Sequence, residues 1–307
     1  MTDQPSNLFA SRLQAYQERI ERALPELAGD PDPLTGGLVV TAARYSLLAG
    51  GKRIRPVLLL AAADMLAPDQ DEHLAGRLLR FACALEMIHT YSLIHDDLPC
   101  MDDDDLRRGR PTCHKVYGEA MAVLAGDHLL NRAYEVMLSA VEPSRPETLA
   151  AAQRVSAAAG RSGMIGGQVL DLQAENTRLS PDALERLHQM KTGALLAVPA
   201  EAAALLCGAD EDTVRQLAAF GRHLGLAFQI RDDMLDQTAD AKTLGKTAGK
   251  DQRDMKSTFV TLFGLEEAGL RLRQETDEAE ESLEALDKTY DTKFLVSLAR
   301  FLLRRRH

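Results

Sequence analysis

Two clusters of aspartates place carboxylates close enough together to hold a metal ion. Carboxylates crowded in this way repel one another and raise each other's pKa unless a cation neutralises them. Mg²⁺ takes oxygen ligands, usually one or two carboxylates together with water and phosphate oxygens. The clusters therefore predict a magnesium site that grips a diphosphate, although the first cluster alone would also fit a solvated acidic loop. The six candidate ligands are Asp96, Asp97, Asp102, Asp232, Asp233 and Asp236.

The two clusters differ in their spacing. Asp232 and Asp236 stand four residues apart, so a helix would project both carboxylates from one face. Asp96 and Asp102 stand six residues apart, about 240° around an ideal helix, and would diverge if the helix continued. Pro99 removes a backbone donor and disfavours helical geometry in the residue before it. We therefore expect the helix to end or bulge there, which could bring Asp102 back towards Asp96.

The elements that position these clusters are predicted to be helices. Hydrophobic residues make up 45% of the 307 residues, aromatic residues only 5%, and there is no Trp. This composition favours closely packed helices. No Pro/Gly/Ser linker divides the chain. We expect an all-α fold, one domain over residues 1–307, as a bundle of long helices around a central cavity.

Glycine and proline breaks divide the helical periodicity into long runs, and no strand alternation is present. The first helix is expected to begin with Ser6 or Asn7 as N-cap and to carry one apolar face, formed by Leu8, Leu13, Tyr16 and Ile20. The further predicted helices cover about 34–49, 54–67, 71–98, 114–140, 146–175, 181–207, 210–236, 257–286 and 291–305.

Charge and composition exclude several classes of partner. The net charge of −10 argues against nucleic acid, which requires a broad basic surface. No apolar run is long enough to span a membrane, and the N-terminus lacks a signal-peptide core. The four cysteines show no C-x-x-C spacing, so neither zinc nor disulfides are indicated and a cytoplasmic protein is expected. They are Cys83, Cys100, Cys113 and Cys207.

Basic residues beside helix breaks could bind the phosphates of an anionic substrate. Donors meet phosphate readily at a glycine turn before a helix, although a basic helix cap is an equal alternative there. Guanidinium groups after the first aspartate cluster could bind diphosphate in a bidentate manner, or merely offset the neighbouring carboxylates. The residues concerned are Gly51, Lys52, Arg55, Arg107, Arg108, Lys191, Lys246, Lys250 and Lys256.

A few residues without a permanent charge are further candidates for the substrate-binding site. His89 precedes Asp96 by seven residues, about 20° from the same helical direction, so it can face the same space. Phe228 fits either core packing or a cavity wall, and Gln229 is the stronger functional candidate. The remaining histidines in helical segments are interpreted as core residues: His95, His114, His128, His188 and His223.

Six ordered segments resemble the short-chain trans-isoprenyl diphosphate synthases, and within that family most resemble the bacterial farnesyl diphosphate synthases. Together they span nearly the whole chain, which makes the resemblance highly specific. The segments are GGKRIRP at 50–56, LIHDDLPCMDDDDLRRGR at 93–110, GGQVLDL at 166–172, MKTGAL at 190–195, FQIRDDMLD at 228–236 and LGKTAGKDQRDMK at 244–256.

The resemblance implies an α-helical homodimer that uses magnesium, three ions per active site, to join isopentenyl diphosphate to an allylic diphosphate. Asp96, Asp102 and Asp232 would hold the metal, with the other three clustered aspartates assisting. The departing negative charge would be shared by Arg107, Lys191 and Lys246, with Thr192 and Gln229 directing dipoles to the reacting groups. Isopentenyl diphosphate would be held by Lys52, Arg55, His89 and Arg108.

The resemblance also addresses product length. In the family, bulky residues just before the first aspartate motif close the product tunnel. Tyr91 with Ser92, and the Pro99-Cys100 insertion, imply farnesyl diphosphate. If Tyr91 is ordinary packing instead, a longer product such as geranylgeranyl diphosphate is the alternative.

Two alternatives from other classes remain open. A terpene cyclase would share the fold and the first aspartate motif, but it should carry a different second metal motif and no GGKR segment. A non-catalytic regulatory subunit of a prenyl synthase should have lost carboxylates from at least one cluster. Both clusters are complete here.

Overall fold

The computed structural model describes residues 7–174, 177–238 and 257–304, and nearly all of the regular structure there is α-helical. The all-α prediction is confirmed. The helices are α1 (Asn7–Leu27), α2 (Gly37–Leu47), α3 (Ile54–Leu66), α4 (Glu72–Asp96), α5 (Cys113–Tyr117), α6 (Glu119–Leu138), α7 (Pro146–Ala159), α8 (Met164–Ala174), α9 (Pro181–His188), α10 (Ala194–Leu206), α11 (Glu211–Thr238), α12 (Phe259–Phe263), α13 (Leu265–Glu284) and α14 (Lys293–Arg304).

Helices α3, α4 and α10 pack against one another and form the centre of the bundle. Residues 57–63 of α3 are all buried, which fits a helix that is apolar on every side. Helix α6 covers α4, α7 covers α10, and α11 lies between α10 and α13. Truncating a fully buried residue such as Leu59 to alanine would cost about 2–5 kcal/mol. The end of α4 that carries the first aspartate cluster extends from this centre. The C-terminal half of α11, which carries the second cluster, packs in a smaller core formed with Leu184, Phe259 and Val260.

Three predicted helices are wrong in their continuity, because glycines divide them. The run predicted over 114–140 is split into α5 and α6 at Gly118, whose φ is 83°. The run over 257–286 is split into α12 and α13 at Gly264, whose φ is 81°. Such positive φ values suit glycine and end a helix. The run over 146–175 is likewise split, at residues 160–163, into α7 and α8.

The predicted helix over 181–207 contains one turn of a different type. Residues Gln189–Gly193 form a π-helical turn between α9 and α10, so the path stays helical but widens. Single π-helical turns within helices are frequent at functional sites. Ser180 caps the start of α9 by accepting a hydrogen bond from the Ala183 backbone N–H at 3.3 Å.

The expectation of no strands is also wrong at one point. Leu106–Arg107 (β1) and Arg110–Pro111 (β2) form a small antiparallel hairpin, with Arg107 paired to Arg110. The two turn residues, Arg108 and Gly109, have φ values of 55° and 74°. Two consecutive positive φ values match the tight turn that joins twisted strands. The hairpin directs Arg107 and Arg108 back towards the end of α4.

The N-terminal helix begins at Asn7, within one residue of the prediction. Tyr16 and Ile20 are buried as expected, whereas Leu8 is 72% exposed. Within the described ranges, the structure contains no helix with the length and apolarity needed to cross a membrane.

Candidate active site

The first aspartate cluster lies where α4 ends. The helix stops at Asp96, and the chain turns back on itself in the next six residues. The backbone N–H of Met101 donates to the Leu98 carbonyl at 2.8 Å, and that of Asp102 donates to the Asp96 carbonyl at 2.9 Å. Pro99 lies inside this turn and has no N–H to continue the helix. The predicted return of Asp102 towards Asp96 is therefore confirmed.

Asp97 is buried and is held by the protein itself. It is 4% exposed, and the Arg107 guanidinium donates to both its carboxylate oxygens, with Nε at 3.0 Å from Oδ1. Arg107 also reaches Asp104 at 3.3 Å. Burial raises the pKa of Asp97, and the hydrogen bond from Arg107 opposes that rise. Asp97 thus joins the hairpin to the end of α4, while Asp96 and Asp102 are only half-buried.

The second cluster has the same arrangement, in which one aspartate is buried and its neighbours are accessible. Asp232 and Asp236 lie four residues apart on α11, as predicted, and are half-buried and exposed respectively. Asp233 between them is 5% exposed. Its Oδ2 accepts a 2.8 Å hydrogen bond from the Phe259 backbone N–H, and its Oδ1 lies 3.4 Å from the Gln229 amide. In both clusters the second aspartate is anchored in the protein and its neighbours remain accessible.

Helix α8 connects the first cluster with the π-helical turn. Gln168 donates to Asp96 Oδ1 at 2.7 Å. Lys191 Nζ forms an ion pair with Asp171 Oδ2 at 2.6 Å. These two partners were not predicted as site residues. The signal available in the sequence was their position in the GGQVLDL segment, three residues apart, where a helix places both side chains on one face.

Glycines let α8 and α11 approach the π-helical turn closely. A Cβ on Gly167 would lie 2.2 Å from the Lys191 backbone nitrogen, and a Cβ on Gly225 would lie 2.9 Å from the Gly193 Cα. Both separations are too short for any other residue. The turn carrying Lys191 and Thr192 is therefore clamped between the helix that contacts Asp96 and the helix that carries Asp232.

Three basic residues form a cluster beside the end of α4. Burial is the main cause that lowers the pKa of Arg55 to about 10, with the charge of Arg108 adding to the effect. Burial, with the charges of Arg55 and Arg108, also holds the pKa of His89 well below its usual value of 6.5. The buried Arg55 Nε has no hydrogen-bond partner in the part of the chain that the structure describes. Cations crowded together with a spare donor fit an anionic ligand.

Arg53 in the same segment serves the fold. It is 2% exposed and donates to Glu21 and to the buried Glu86, both at 2.7 Å, and to the Leu47 carbonyl at 2.8 Å. Its φ of 51° turns the chain into α3. This orientation leaves Lys52 exposed and directs Arg55 into the cationic cluster.

Gly51 has a steric role beside the cluster. The Arg108 guanidinium lies against it, so that a Cβ would be 2.8 Å from Arg108 Cζ. Its φ of 143° also disfavours other residues. Arg108 in turn donates to the Gly50 carbonyl. The glycine turn and the hairpin are therefore fitted to each other.

Tyr91 and Ser92 occupy different environments on α4. Tyr91 is 5% exposed, and its ring lies edge-on to His95 with 5.7 Å between the centroids. Burial raises its pKa to about 12, and its hydroxyl lacks a hydrogen-bond partner among the described residues. Ser92 donates to the His89 carbonyl at 2.8 Å within the helix.

The remaining predicted site residues are distributed as follows. Phe228 and Gln229 are half-buried on α11, and Phe228 packs against the main core. Thr192 is half-buried in the π-helical turn. The predictions for Lys246, Lys250 and Lys256 lie outside the described residues.

Comparison with known proteins gives consistent matches over most of the chain. The family model described as polyprenyl synthetase matches residues 37–293. The farnesyl diphosphate synthase of Bacillus subtilis is 41% identical over 293 residues, 95% of this chain and 95% of that protein. A chloroplastic geranylgeranyl pyrophosphate synthase of Capsicum annuum is 43% identical over 290 residues, 93% of this chain and 76% of that protein. The crystal structure of an FPP/GFPP synthase from Zymomonas mobilis superposes with a TM-score of 0.83 at 35% identity, covering 96% of this chain and 98% of that one.

Proposed function

The chain belongs to the polyprenyl synthetase family, and from that premise we propose that it is a farnesyl diphosphate synthase. The enzyme is a trans-prenyltransferase that condenses isopentenyl diphosphate head to tail with dimethylallyl or geranyl diphosphate. The observation that carries the proposal is the connection of two aspartate clusters by one clamped turn, next to a cluster of cations with a spare buried donor. Such an arrangement provides for two diphosphates, one at the metal and one at the cations.

Magnesium fits the accessible aspartates. Asp96, Asp102 and Asp232 would hold it with Asp236, because these carboxylates offer hard oxygen ligands and are not buried. Asp97 and Asp233 assist by fixing the ends of their helices. Bound magnesium, three ions per site, supplies positive charge that stabilises diphosphate as a leaving group.

Ionisation of the allylic substrate breaks its C–O bond and leaves an allylic cation with free diphosphate. Lys191, Arg107 and Lys246 would share the departing negative charge. Thr192 and Gln229 would direct a hydroxyl and an amide dipole towards the reacting groups. The ion pair of Lys191 with Asp171 keeps the ammonium in place before substrate arrives.

Isopentenyl diphosphate would bind at Lys52, Arg55, His89 and Arg108, beside Gly51. Its double bond attacks the allylic cation and forms the new C–C bond. A proton is then lost to the released diphosphate, so the protein needs no general base. The His89 ring can donate an N–H to a phosphate oxygen, and an anion bound there would offset the neighbouring positive charges that help to lower the pKa of His89.

The prenyl chain requires an apolar wall. Helix α8 supplies one beside Gln168, since its residues at positions i, i+4 and i+7 are exposed and apolar. These residues are Ile165, Val169 and Leu172. We propose Tyr91, with Ser92 and Phe228, as the floor and lining that stop the chain at farnesyl length.

Geranylgeranyl diphosphate synthase is the second candidate. It is supported by the identity with the Capsicum annuum enzyme, which is as high as that with the bacterial relative. The two candidates share the reaction and differ in the depth at which the product is stopped.

We further propose that the chain acts as a cytoplasmic homodimer, with residues 1–307 as one catalytic domain. Exposed apolar residues on α5 and α6, among them Val116 and Leu124, support a contact with a second copy. Sedimentation of the purified protein tests the proposal, and a monomer at micromolar concentration would exclude a stable dimer.

The reaction class is tested by measuring diphosphate release with the allylic substrate alone and with both substrates. A synthase releases diphosphate in step with condensation and only when isopentenyl diphosphate is present. A terpene cyclase would release a hydrocarbon from the allylic substrate alone. A non-catalytic subunit would release nothing under either condition.

A further inference from the structure

His188 lies at the junction of three elements, although its sequence position suggests an ordinary core residue. It is the last residue of α9, directly before the π-helical turn, and is 7% exposed. Its ring stacks on Phe259 of α12, with 5.4 Å between the centroids and an angle of 18°. Its Nε2 lies 3.4 Å from Asp233 Oδ2 on α11.

The same carboxylate oxygen joins all three elements. Asp233 Oδ2 accepts the Phe259 backbone N–H at 2.8 Å and faces the His188 ring nitrogen at 3.4 Å. The His188 Nε2 is buried and has no hydrogen bond within the described part of the chain. The Asp233 carboxylate nevertheless makes a close contact with it. This contact is at ion-pair range and slightly too long for a good hydrogen bond.

The position of Asp233 matters because its neighbours are the accessible ligands. Asp232 and Asp236 project from the same helix, so the rotation of α11 about its axis decides where they point. An anchored Asp233 fixes that rotation relative to the π-helical turn. The start of α12 is fixed as well, since Ser257 Oγ accepts the Leu179 backbone N–H at 3.1 Å.

We propose that His188 is a positioning residue for the second metal cluster. Its Nε2 and its ring face hold Asp233 and Phe259 together, and this keeps Asp232 and Asp236 in register with Lys191 and Thr192. The inference rests on the proposed function, since it assigns His188 to the magnesium-dependent reaction. Neighbours that orient metal ligands typically change metal affinity or activity about 10- to 100-fold when they are replaced.

Two variants separate this role from packing. His188→Phe keeps a ring for the stack on Phe259 and removes the nitrogen, whereas His188→Asn keeps an N–H donor and removes the ring. The account predicts that His188→Phe raises the half-activating Mg²⁺ concentration about 10-fold or more. His188→Asn should restore part of the wild-type Mg²⁺ dependence even if its melting temperature is lower. If His188 only fills space, His188→Phe will match the wild type and His188→Asn will be the worse variant.

A second readout does not depend on turnover. The Phe259 amide is protected by Asp233 Oδ2, so its hydrogen exchange should become faster in His188→Phe than in the wild type. The matched control is His128→Phe on α6, because His128 Nε2 is also buried and has no hydrogen-bond partner among the described residues. His128 belongs to neither aspartate cluster. The half-activating Mg²⁺ concentration of the His128→Phe variant should therefore stay at the wild-type value.

The outcomes are distinguishable. An inactive wild type would overturn the proposed function, while amide exchange at Phe259 would still test the link to Asp233. An active wild type with unchanged Mg²⁺ dependence and unchanged exchange in His188→Phe would overturn the positioning role alone.

Discussion

The backbone N–H of Asp102 donates to the carbonyl of Asp96 across 2.9 Å, and this contact closes the loop that follows α4. On a continuous helix the two side chains would point in directions about 120° apart. Pro99 ends the helix, and the turn brings the two residues together. Two aspartates that the sequence separates by six positions are thereby brought next to each other, as the proposed metal site requires.

Replacing a carboxylate of this set should abolish most of the activity. Asp96→Asn keeps the shape and the hydrogen bond from Gln168 but removes the charge that would hold magnesium. We expect kcat to fall by about 100-fold or more, with little change in melting temperature. Asp103→Asn is the control, because Asp103 lies exposed in the same loop and its φ of 48° suits asparagine. Equal losses in both variants would argue against the metal assignment.

Arg55 should act on one substrate more than on the other. Its buried Nε has no hydrogen-bond partner among the described residues, and it lies beside His89 and Arg108, which is why we propose that it binds the diphosphate of isopentenyl diphosphate. A charge-assisted hydrogen bond contributes about 1.5–3 kcal/mol, so Arg55→Gln should raise the KM for isopentenyl diphosphate about 10- to 100-fold. The KM for geranyl diphosphate should change much less. Initial-rate kinetics with each substrate varied in turn checks this, and a parallel rise in both KM values would place Arg55 elsewhere.

Arg53, two residues earlier, should affect stability. Its guanidinium neutralises Glu86, which is 1% exposed, so Arg53→Met leaves a buried carboxylate unpaired. The free energy of unfolding should fall by about 3–5 kcal/mol. Urea denaturation measures the change. The double variant Arg53→Met with Glu86→Gln should recover part of the loss, and no recovery would mean that the pair is not the cause.

The lowered pKa of His89 leads us to expect that the stability of the protein depends on pH. The folded protein keeps its pKa well below 6.5, so on acidification the unfolded chain takes up a proton that the folded chain does not. Stability from this group is present above pH 6.5 and is lost as the pH falls, by about 1 kcal/mol at about pH 5.5. The contribution of His223 to stability changes with pH in the opposite direction, because hydrogen bonding to Glu275 raises the pKa of His223.

The comparison of wild type with His89→Gln isolates the effect, since His223 is present in both proteins. The difference between their free energies of unfolding should change in favour of the variant between about pH 6.5 and pH 5.5. The measurement is made without phosphate or diphosphate, because a bound anion would favour the protonated ring. A constant difference across this range would contradict the lowered pKa.

Tyr91 tests the limit on product length. Tyr91→Ala removes a bulky ring and should lengthen the product. Tyr91→Phe should leave the product unchanged, and it should not lower stability, because the hydroxyl is buried without a partner in the described structure. Chromatography of the products and thermal unfolding check both statements. An unchanged product from Tyr91→Ala would show that the chain is stopped by other residues.

The parts of the fold that could be predicted are those set by residues close together in the sequence. Helical periodicity located α3, α4 and α11, and Pro99 located the end of α4. The Asp232 and Asp236 pair followed from helical spacing alone. A glycine inside a helical run is compatible with either a continued or a broken helix, and at Gly118 and Gly264 the chain takes positive φ values that break it.

The partners of the site residues could not be predicted in the same way. The contact of Gln168 with Asp96 joins residues 72 positions apart, and that of Phe259 with Asp233 joins residues 26 apart. Such contacts depend on how helices pack, not on local propensity. Arg53 and Arg55 show the same limit. The same residue type in one segment pairs with the buried Glu86 at Arg53, whereas at Arg55 it joins the cationic cluster with His89 and Arg108.

The most direct test of the central claim is to incubate the purified protein with Mg²⁺, labelled isopentenyl diphosphate and either dimethylallyl or geranyl diphosphate, and to identify the product by chromatography. The account predicts farnesyl diphosphate as the end product from both allylic substrates. Failure to elongate either substrate at any Mg²⁺ concentration would contradict it.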